Sequence, residues 1–335
     1  MNPLVSVIIP TIGRPNHVVA AARSALAQSL REVEVIVVVD GPDEATTSAL
    51  AEVHDPRLRV VELASRTGPG GARNAGVTVS RGEWVGFLDD DDLWDPRKLE
   101  VQLKAARSSG HELPVVSCRE ETRGGGRSEI WPRRLPDLGE DLSEYLLARR
   151  GLFWGEGAVH TSTWFTRREL LERVPFREDL KKHEGWEWLL RAAGQASAAV
   201  TFVPESEPLA VRSVDEGLPR ASRSLDWRFG FAHIRRCREL ELVTERAYAS
   251  FLLTILSAEA AEERSLGALW ALPREAIRRG RPRPVDLLVC LGNFLLSRGL
   301  RARLRYFTDS AKPRTSAAGP APDGSGHTKL GPGDT

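Results

Sequence analysis

The feature that most constrains the fold is an alternation repeated through the first hundred residues. Leu4–Ile9, Val33–Val39, Leu58–Leu63 and Trp84–Leu88 are short apolar runs rich in β-branched residues, each bounded by Gly, Pro or Asp. Runs of this kind are expected of parallel strands buried on both faces, since a strand with one wet face would alternate apolar with polar residues. Between them, His17–Leu30, Glu44–Val53 and Ala72–Val79 carry helical patterns. Strand, helix and strand at this spacing imply right-handed crossovers and a doubly wound, mostly parallel α/β sheet. Ligands of such sheets bind at the carboxyl ends of the strands. Chemistry is therefore expected just after Ile9, Val39, Leu63 and Leu88.

The pattern then becomes mixed. Pro96–Ser108 reads as a helix, Val115–Ser117 as a strand, Arg123–Arg127 as a Gly-rich turn and Leu142–Arg150 as a helix. Glu184–Ala193 has apolar residues at helical spacing, and Ala198–Val203 reads as a further strand. From about Leu225 the signal is mainly helical, through Val243–Ala261 and Val285–Tyr306. From Lys312 to Thr335 almost no large apolar residue remains, so burial cannot offset the ordering entropy and a disordered tail is expected.

Composition narrows the function classes. A chain of 335 residues holds about two domains at roughly 150 residues each, and 41% hydrophobic with 28% charged residues is the balance of a globular protein. The formal net charge of +1 argues against a nucleic-acid partner. Cys118, Cys237 and Cys290 are too few and too scattered for a disulfide framework or a zinc site, which fits a reducing, cytoplasmic compartment. The start, MNPLVSVIIPTIGRP, reads as a first strand and not as a signal peptide. Val285–Leu296 contains Asp286 and Asn293 and is short of the ~20 residues a membrane span needs.

The strongest local feature is Arg81–Trp94, RGEWVGFLDDDDLW, where a buried strand runs straight into Asp89, Asp90, Asp91 and Asp92. Adjacent carboxylates repel one another, and a hard divalent cation or solvent must relieve them. Capping of the helix near Pro96 by Asp92 or Asp95 would account for one aspartate but not for the block. At a second strand end, Asp40 precedes Gly41–Pro42, placing a carboxylate where a nucleobase N–H or a ribose hydroxyl can be read; an ordinary turn aspartate is the plainer alternative. At a third, GPGGARNAG (Gly68–Gly76) opens a helix with one cation, Arg73, and helix N-termini and arginines suit diphosphates. No Gly-Lys-Ser/Thr follows and the third glycine of G-x-G-x-x-G is missing, so neither common nucleotide-fold motif is present.

Taken in order, VSVIIPTIGRP, VEVIVVVDGPDE, GPGGARNAGVTVSRGEWVGFLDDDDLWDPRKLEVQL and KKHEGWEWLLR closely resemble family 2 glycosyltransferases of the GT-A fold over roughly residues 4–205, most specifically over Gly70–Leu103. The resemblance implies a Rossmann-like, GT-A-type sheet with a helical C-terminal extension. Together with the helical signal and the composition of the tail, it gives a division into residues 1–220, with a nucleotide-sugar half (1–110) and an acceptor half (111–220), then the extension (221–311) and the tail (312–335). It also implies transfer of a sugar from a nucleotide-sugar, UDP-sugar first among them, to a glycan or polyprenyl-linked acceptor hydroxyl with inversion. By the same resemblance Pro10, Thr11 and Asp40 contact the nucleotide, Arg73 and Asp89 lie in the donor site, and Asp91 with Asp92 binds Mn²⁺ or Mg²⁺.

These residue types suit the reaction, because a departing nucleoside diphosphate builds negative charge that a divalent ion and an arginine stabilise. The attacking hydroxyl must lose a proton, so a carboxylate base is wanted on the opposite face. Here the sequence departs from the family pattern. Gly185 stands where the family usually has the catalytic aspartate, within His183-Glu184-Gly185-Trp186-Glu187-Trp188. Glu184 and Glu187 share one helical face and are the candidate bases, with His183 or a more distant group as an alternative. The rival readings are a non-catalytic nucleotide-sugar-binding protein that lost its base at Gly185 and, more weakly, a nucleotidyltransferase.

Trp186 and Trp188 suit either an acceptor platform or, more commonly, a core. His160 reads as structural, and His17, His54, His111 and His233 stand apart without metal-ligand spacing. Farther on, ten arginines face only Glu275 and Asp286 between Arg264 and Phe307, a local charge of +8, with leucines and Phe294 interleaved. This composition fits either a hairpin packed on the catalytic domain or a surface in peripheral contact with an anionic membrane.

Overall fold

In a computed structural model of the chain, residues 3–124, 127–151, 157, 159–204, 206–213, 226–296 and 299–300 are described. The apolar runs become β1 (Val5–Thr11), β2 (Val33–Val39), β3 (Leu58–Glu62) and β4 (Trp84–Phe87), joined by α1 (Pro15–Leu26), α2 (Glu44–Ala51) and α3 (Gly68–Val79). The following stretch supplies β5 (Asp92–Trp94), α4 (Lys98–Ser108), β6 (Leu113–Ser117), β7 (Glu120–Gly124), β8 (Arg127–Trp131), α5 (Leu142–Leu147), a 3-10 turn at Thr161–Thr163, β9 (Phe165–Arg167), α6 (Arg168–Arg173), α7 (Glu184–Ala193), β10 (Ala198–Phe202) and β11 (Ala210–Ser213). Helices α8 (Trp227–Glu239), α9 (Glu245–Phe251), α10 (Ser257–Glu262), α11 (Leu266–Arg279) and α12 (Pro284–Leu295) follow, with a π-helical turn at Leu252–Leu256 joining α9 to α10. The tail expected to be disordered, and 297–298 and 301–306 of the last expected helix, lie outside the described residues.

A seven-stranded sheet has the order β10-β6-β9-β4-β1-β2-β3, parallel except where β9 runs against β4 and β6. It is the mixed α/β, mostly parallel sheet that the sequence predicts, with a helical C-terminal part. Chain order proceeds outward from β1 through β2 to β3, then jumps back so that β4 pairs with the other side of β1. That reversal opens a crevice at the carboxyl ends of β1 and β4, where ligands of doubly wound sheets bind. A second sheet, β5-β11-β7-β8, carries the Asp92 segment against Arg212.

The packing follows from the period of two along a strand. Val5, Val7 and Ile9 of β1 and Val35, Val37 and Val39 of β2 join a core with Val18, Ala21, Ala22 and Ala25 of α1. The alternate residues Ile8, Ile36 and Val38 join the opposite core with Ala72 and Val77 of α3 and Trp188 of α7. Each such apolar side chain withdrawn from water contributes about 1.5–3 kcal/mol, so both faces of these strands must be covered. Helix α3 lies close enough that a Cβ at Gly76 would come within 2.5 Å of Ile8 Cγ2, which is why that position carries no side chain.

Five short strands, β5, β7, β8, β9 and β11, were not expected from the sequence; β5, β9 and β11, at three to four residues, show no resolvable period and exist through pairing with partners distant in the chain, while Arg123 and Arg127 of the expected turn lie in β7 and β8. Helix α3 begins at Gly68, four residues ahead of the expected Ala72, because the Asp40 carboxylate accepts the backbone N–H groups of Thr67 (2.7 Å) and Gly68 (3.0 Å). The Gly-rich stretch around Arg123 joins the antiparallel pair β7 and β8. A third core, built from α8 to α12, takes in Leu147 and Leu190 from the α/β part.

Candidate active site

The strand ends converge as the topology requires. Thr11, the last residue of β1, donates from Oγ1 to Asp90 Oδ2 at 2.7 Å, bridging β1 to the segment after β4. Arg14, reached through Gly13 at φ 62°, places Nη1 2.9 Å from Asp90 Oδ1 and 3.3 Å from Asp91 Oδ2. Asp40 is buried at the end of β2 with its carboxylate on the α3 N-terminus, also accepting from Thr67 Oγ1 at 3.1 Å. Pro10, Thr11, Asp40, Arg73, Glu184 and all four aspartates line one cavity of about 680 Å³.

The repulsion within the aspartate block is met by particular donors. Asp89 accepts from Arg73 Nη2 at 2.9 Å and from Thr161 Oγ1 at 3.0 Å, while its own N–H donates to Ser162 Oγ at 3.0 Å. Ser162 Oγ in turn donates to Asp92 Oδ2 at 2.6 Å. Burial would raise the Asp89 carboxyl, but the Arg73 charge overcomes it and holds the group below the ordinary carboxylate range. Asp90 is pushed up by burial against the pull of Thr11 and Arg14. Asp92 is driven well above the ordinary range, first by burial and then by the Asp89 charge. Its Oδ1 is buried without a hydrogen-bond partner. Asp92 caps no helix; Asp95 accepts the Arg97 N–H at 2.9 Å at the start of α4.

Arg73 is 4% exposed and forked between two acids, Asp89 and Glu184, the latter at 3.1 Å from Nη1. Burial alone would weaken its hold on the proton, yet the charges of Asp89 and Glu184 raise its affinity above that of a free arginine. The two candidate bases part company. Glu184 lines the cavity, whereas Glu187 is buried with its carboxylate on Arg191 Nε at 2.7 Å. Arg191 also donates to the Pro175 carbonyl at 2.9 Å, so the second turn of α7 is tied beneath the Val174–Pro175 segment while its first turn opens on the cavity. Trp188 is fully buried between Trp164 and Phe176, a core residue; Trp186 packs against His183, His233 and Phe251. His160 is paired with the buried Glu120.

Four residues that sequence reasoning passed over belong to this arrangement: Arg14, Thr161, Ser162 and Arg212. Arg14 sits within the PTIGRP segment quoted above and had a signal of position; the other three come from distant parts of the chain, and nothing local marks them. Among the described residues no group of three or more His, Cys, Asp or Glu side chains is arranged to hold a metal unaided. A hard cation bound through one or two carboxylates and completed by substrate phosphate oxygens is a different donor set. The orphaned Asp92 oxygen beside Asp91 fits that set.

Comparison with known proteins agrees with the geometry. The family model described as Glycosyl transferase family 2 matches residues 6–174. The succinoglycan biosynthesis protein ExoO of Rhizobium meliloti (strain 1021) is 39% identical over 198 residues, covering 58% of this chain and 56% of that protein. The chain spans about half the length of the curated relatives it matches. In fold it is similar to S. aureus TarS 1-349 in complex with UDP-GlcNAc, with a TM-score of 0.56 and 20% identity over 87% of this chain and 80% of the other. It is similar also to the mannosyltransferase PcManGT of Pyrobaculum calidifontis in complex with GDP-Man and Mn²⁺, with a TM-score of 0.50 and 24% identity over 92% and 85% of the two chains. These neighbours have the GT-A fold.

Proposed function

Because this chain belongs to glycosyl transferase family 2, we propose that it is an inverting, divalent-metal-dependent glycosyltransferase that moves a sugar from a UDP-sugar to an acceptor hydroxyl in surface polysaccharide or other glycan biosynthesis. The observation that carries the reading is the meeting of Arg73, the aspartate block and Glu184 in one cavity at the strand ends. Pro10, Thr11 and Asp40 line the side of the cavity assigned to the nucleotide. Arg73, already buried and held by Asp89, would stabilise charge on the diphosphate. Asp91 and Asp92 would hold Mn²⁺ or Mg²⁺ together with phosphate oxygens, and the ion would neutralise charge on the leaving diphosphate. Glu184 is the base that takes the acceptor proton. Its placement in the cavity favours it over Glu187, which is engaged by Arg191.

Gly185 favours a second reading, a nucleotide-sugar-binding protein without transfer. A Cβ built there would meet Thr161 Cγ2 and the Trp164 ring at 3.6 Å, ordinary contacts, so an aspartate is accommodated at its first carbon. A panel of nucleotide-sugars with Mn²⁺ separates the two. Turnover by the wild-type chain supports the enzyme; UDP binding without transfer or hydrolysis, with activity appearing only in Gly185→Asp, supports the second reading.

The division at residue 220 and a cytoplasmic placement at the inner face of a membrane complete the proposal. No helix among the described residues is long and apolar enough to cross a membrane. Leu266, Trp270 and Ile277 are exposed along one strip of α11 with Arg274 and Arg278 beside them, and Leu288, Leu291 and Leu295 are exposed on α12. Apolar anchors beside arginines suit an anionic bilayer. Cosedimentation with phosphatidylglycerol vesicles, weakened by salt and by Trp270→Ser, is the expected result; equal partition to neutral vesicles would remove the electrostatic part.

A further inference from the structure

The three residues before Gly185 are held from opposite sides. Lys182, 3% exposed, donates from Nζ to Glu259 Oε2 of α10 at 2.6 Å. His183 is the N-cap of α7 and stands at φ 72°, a left-handed backbone that a non-glycine residue adopts only under constraint. Its ring lies 5.3 Å from Phe251 of α9, edge to face, and stacks at 6.2 Å on His233 of α8. Gly230 on α8 lies under the ring and is close-packed against Leu256: a Cβ there would come within 2.5 Å of Leu256 Cδ2, while His183 Nε2 would stand at an ordinary contact distance of 3.6 Å. Glu184 then turns the other way, into the cavity and onto Arg73.

We propose that the C-terminal helices are a positioning frame for the acceptor-side carboxylate, acting through Lys182 and His183. The pair Lys182–Glu259 fixes the height of the first turn of α7, and the His183 ring, wedged among α8 and α9, fixes its rotation. Both are positioning residues, since neither is among the residues that line the cavity. The left-handed backbone at His183 is the bend that lets one residue face the helical region and the next face the donor site. The inference rests on Glu184 as the base, but the geometry of the clamp can be measured without it.

The test uses the full chain with Lys182→Met, Lys182→Arg and His183→Gly. Glycine accepts the positive φ without strain, so His183→Gly removes the ring and keeps the bend available. UDP affinity in Mn²⁺ by calorimetry, amide hydrogen exchange over 184–188, and kcat with KM for the active donor are read in parallel. Misplacement of a reacting group by about 1 Å costs on the order of 10²-fold in rate. Lys182→Met and His183→Gly are expected to lose protection over 184–188 and about that much kcat, with UDP affinity and donor KM within twofold of wild type. Lys182→Arg is expected to retain most of the kcat. Unchanged exchange and kcat in both disruptive variants would overturn the clamp, as would a parallel loss of UDP affinity, which marks a general loss of structure. Should Lys182→Met not fold, Glu259→Gln takes its place with the same expectations. If Glu184→Gln keeps full turnover, the base assignment fails; the exchange data then decide the clamp by themselves.

Discussion

Two buried arginines, one in the cavity at the strand ends and one in the helical region, are built from similar parts to different ends. Arg73 is forked between Asp89 and Glu184, and both acids retain access to the cavity, at 34% and 15% side-chain exposure. Arg246 is forked onto Asp286, which is 0% exposed and also takes hydrogen bonds from Ser250 Oγ at 2.9 Å and the Arg283 N–H at 2.7 Å. Its Nη2 donates also to the Arg149 carbonyl at 2.7 Å, joining α9, α12 and the chain after α5, while its Nε is buried without a hydrogen-bond partner. A buried ion pair offsets its desolvation only when the remaining hydrogen-bonding capacity is met. In the helical region the acid's capacity is met from within, which makes a joint. In the cavity it is left facing outward, which makes a site.

Substitutions should therefore separate rate from stability. The largest effect is expected from Asp91→Ala: turnover of the nucleotide-sugar in Mn²⁺ should fall by about 10²–10³-fold or beyond detection, with the melting temperature nearly unchanged. Full retention of activity would remove Asp91 from the cation. Next, Glu184→Gln should lower kcat by about 10²–10⁴-fold while calorimetry finds UDP binding intact. On the other side, Asp286→Ala should cost about 3–5 kcal/mol of unfolding free energy in urea, because Arg246 is left buried without its acid. The refolded fraction should keep its kcat; a large loss of kcat at unchanged stability would break the contrast.

The smallest effect concerns pH and the joint between α7 and the helical region. His183 and His233 are lowered to about 3 and about 4, first by burial and then by neighbouring cations, Lys182 for the former and Arg177 for the latter. Asp179, which pulls the His233 value upward, and Cys237, 3.7 Å from its Nε2, are the other groups facing the pair. Between these values and the ordinary histidine pKa of about 6.5 the unfolded chain binds protons that the folded chain does not. Stability should thus rise with pH through this window and fall on acidification, seen as a melting temperature dropping from pH 6.5 toward 4. His233→Phe should flatten that slope; an unaltered slope would place the acid sensitivity elsewhere.

Much of this could be read along the chain. β1, β2 and β4 are continuous apolar runs, α3 follows a turn-rich segment, and the aspartate block directly follows its strand, so each is a local pattern with a local cause. The candidate bases show where that legibility ends. Glu184 and Glu187 sit about 60° apart on one helix by period alone, yet one opens on the cavity and the other is held by Arg191 under the Val174–Pro175 segment. Nothing in the spacing distinguishes them. Likewise β9 is three residues long and exists because β4 and β6 lie on either side of it.

By itself, then, the sequence determined the family, the doubly wound sheet and the strand ends at which acids and Arg73 gather, because hydrophobic periodicity and chain-adjacent charges are short-range properties. Only the tertiary structure decided which carboxylate faces Arg73, which hydroxyls steady the aspartates, and that α8 to α10 reach back to Lys182 and His183. Those outcomes depend on distances between residues up to 111 positions apart in the chain. Such distances are set by how whole layers pack, since close-packed interiors leave each helix only one seat.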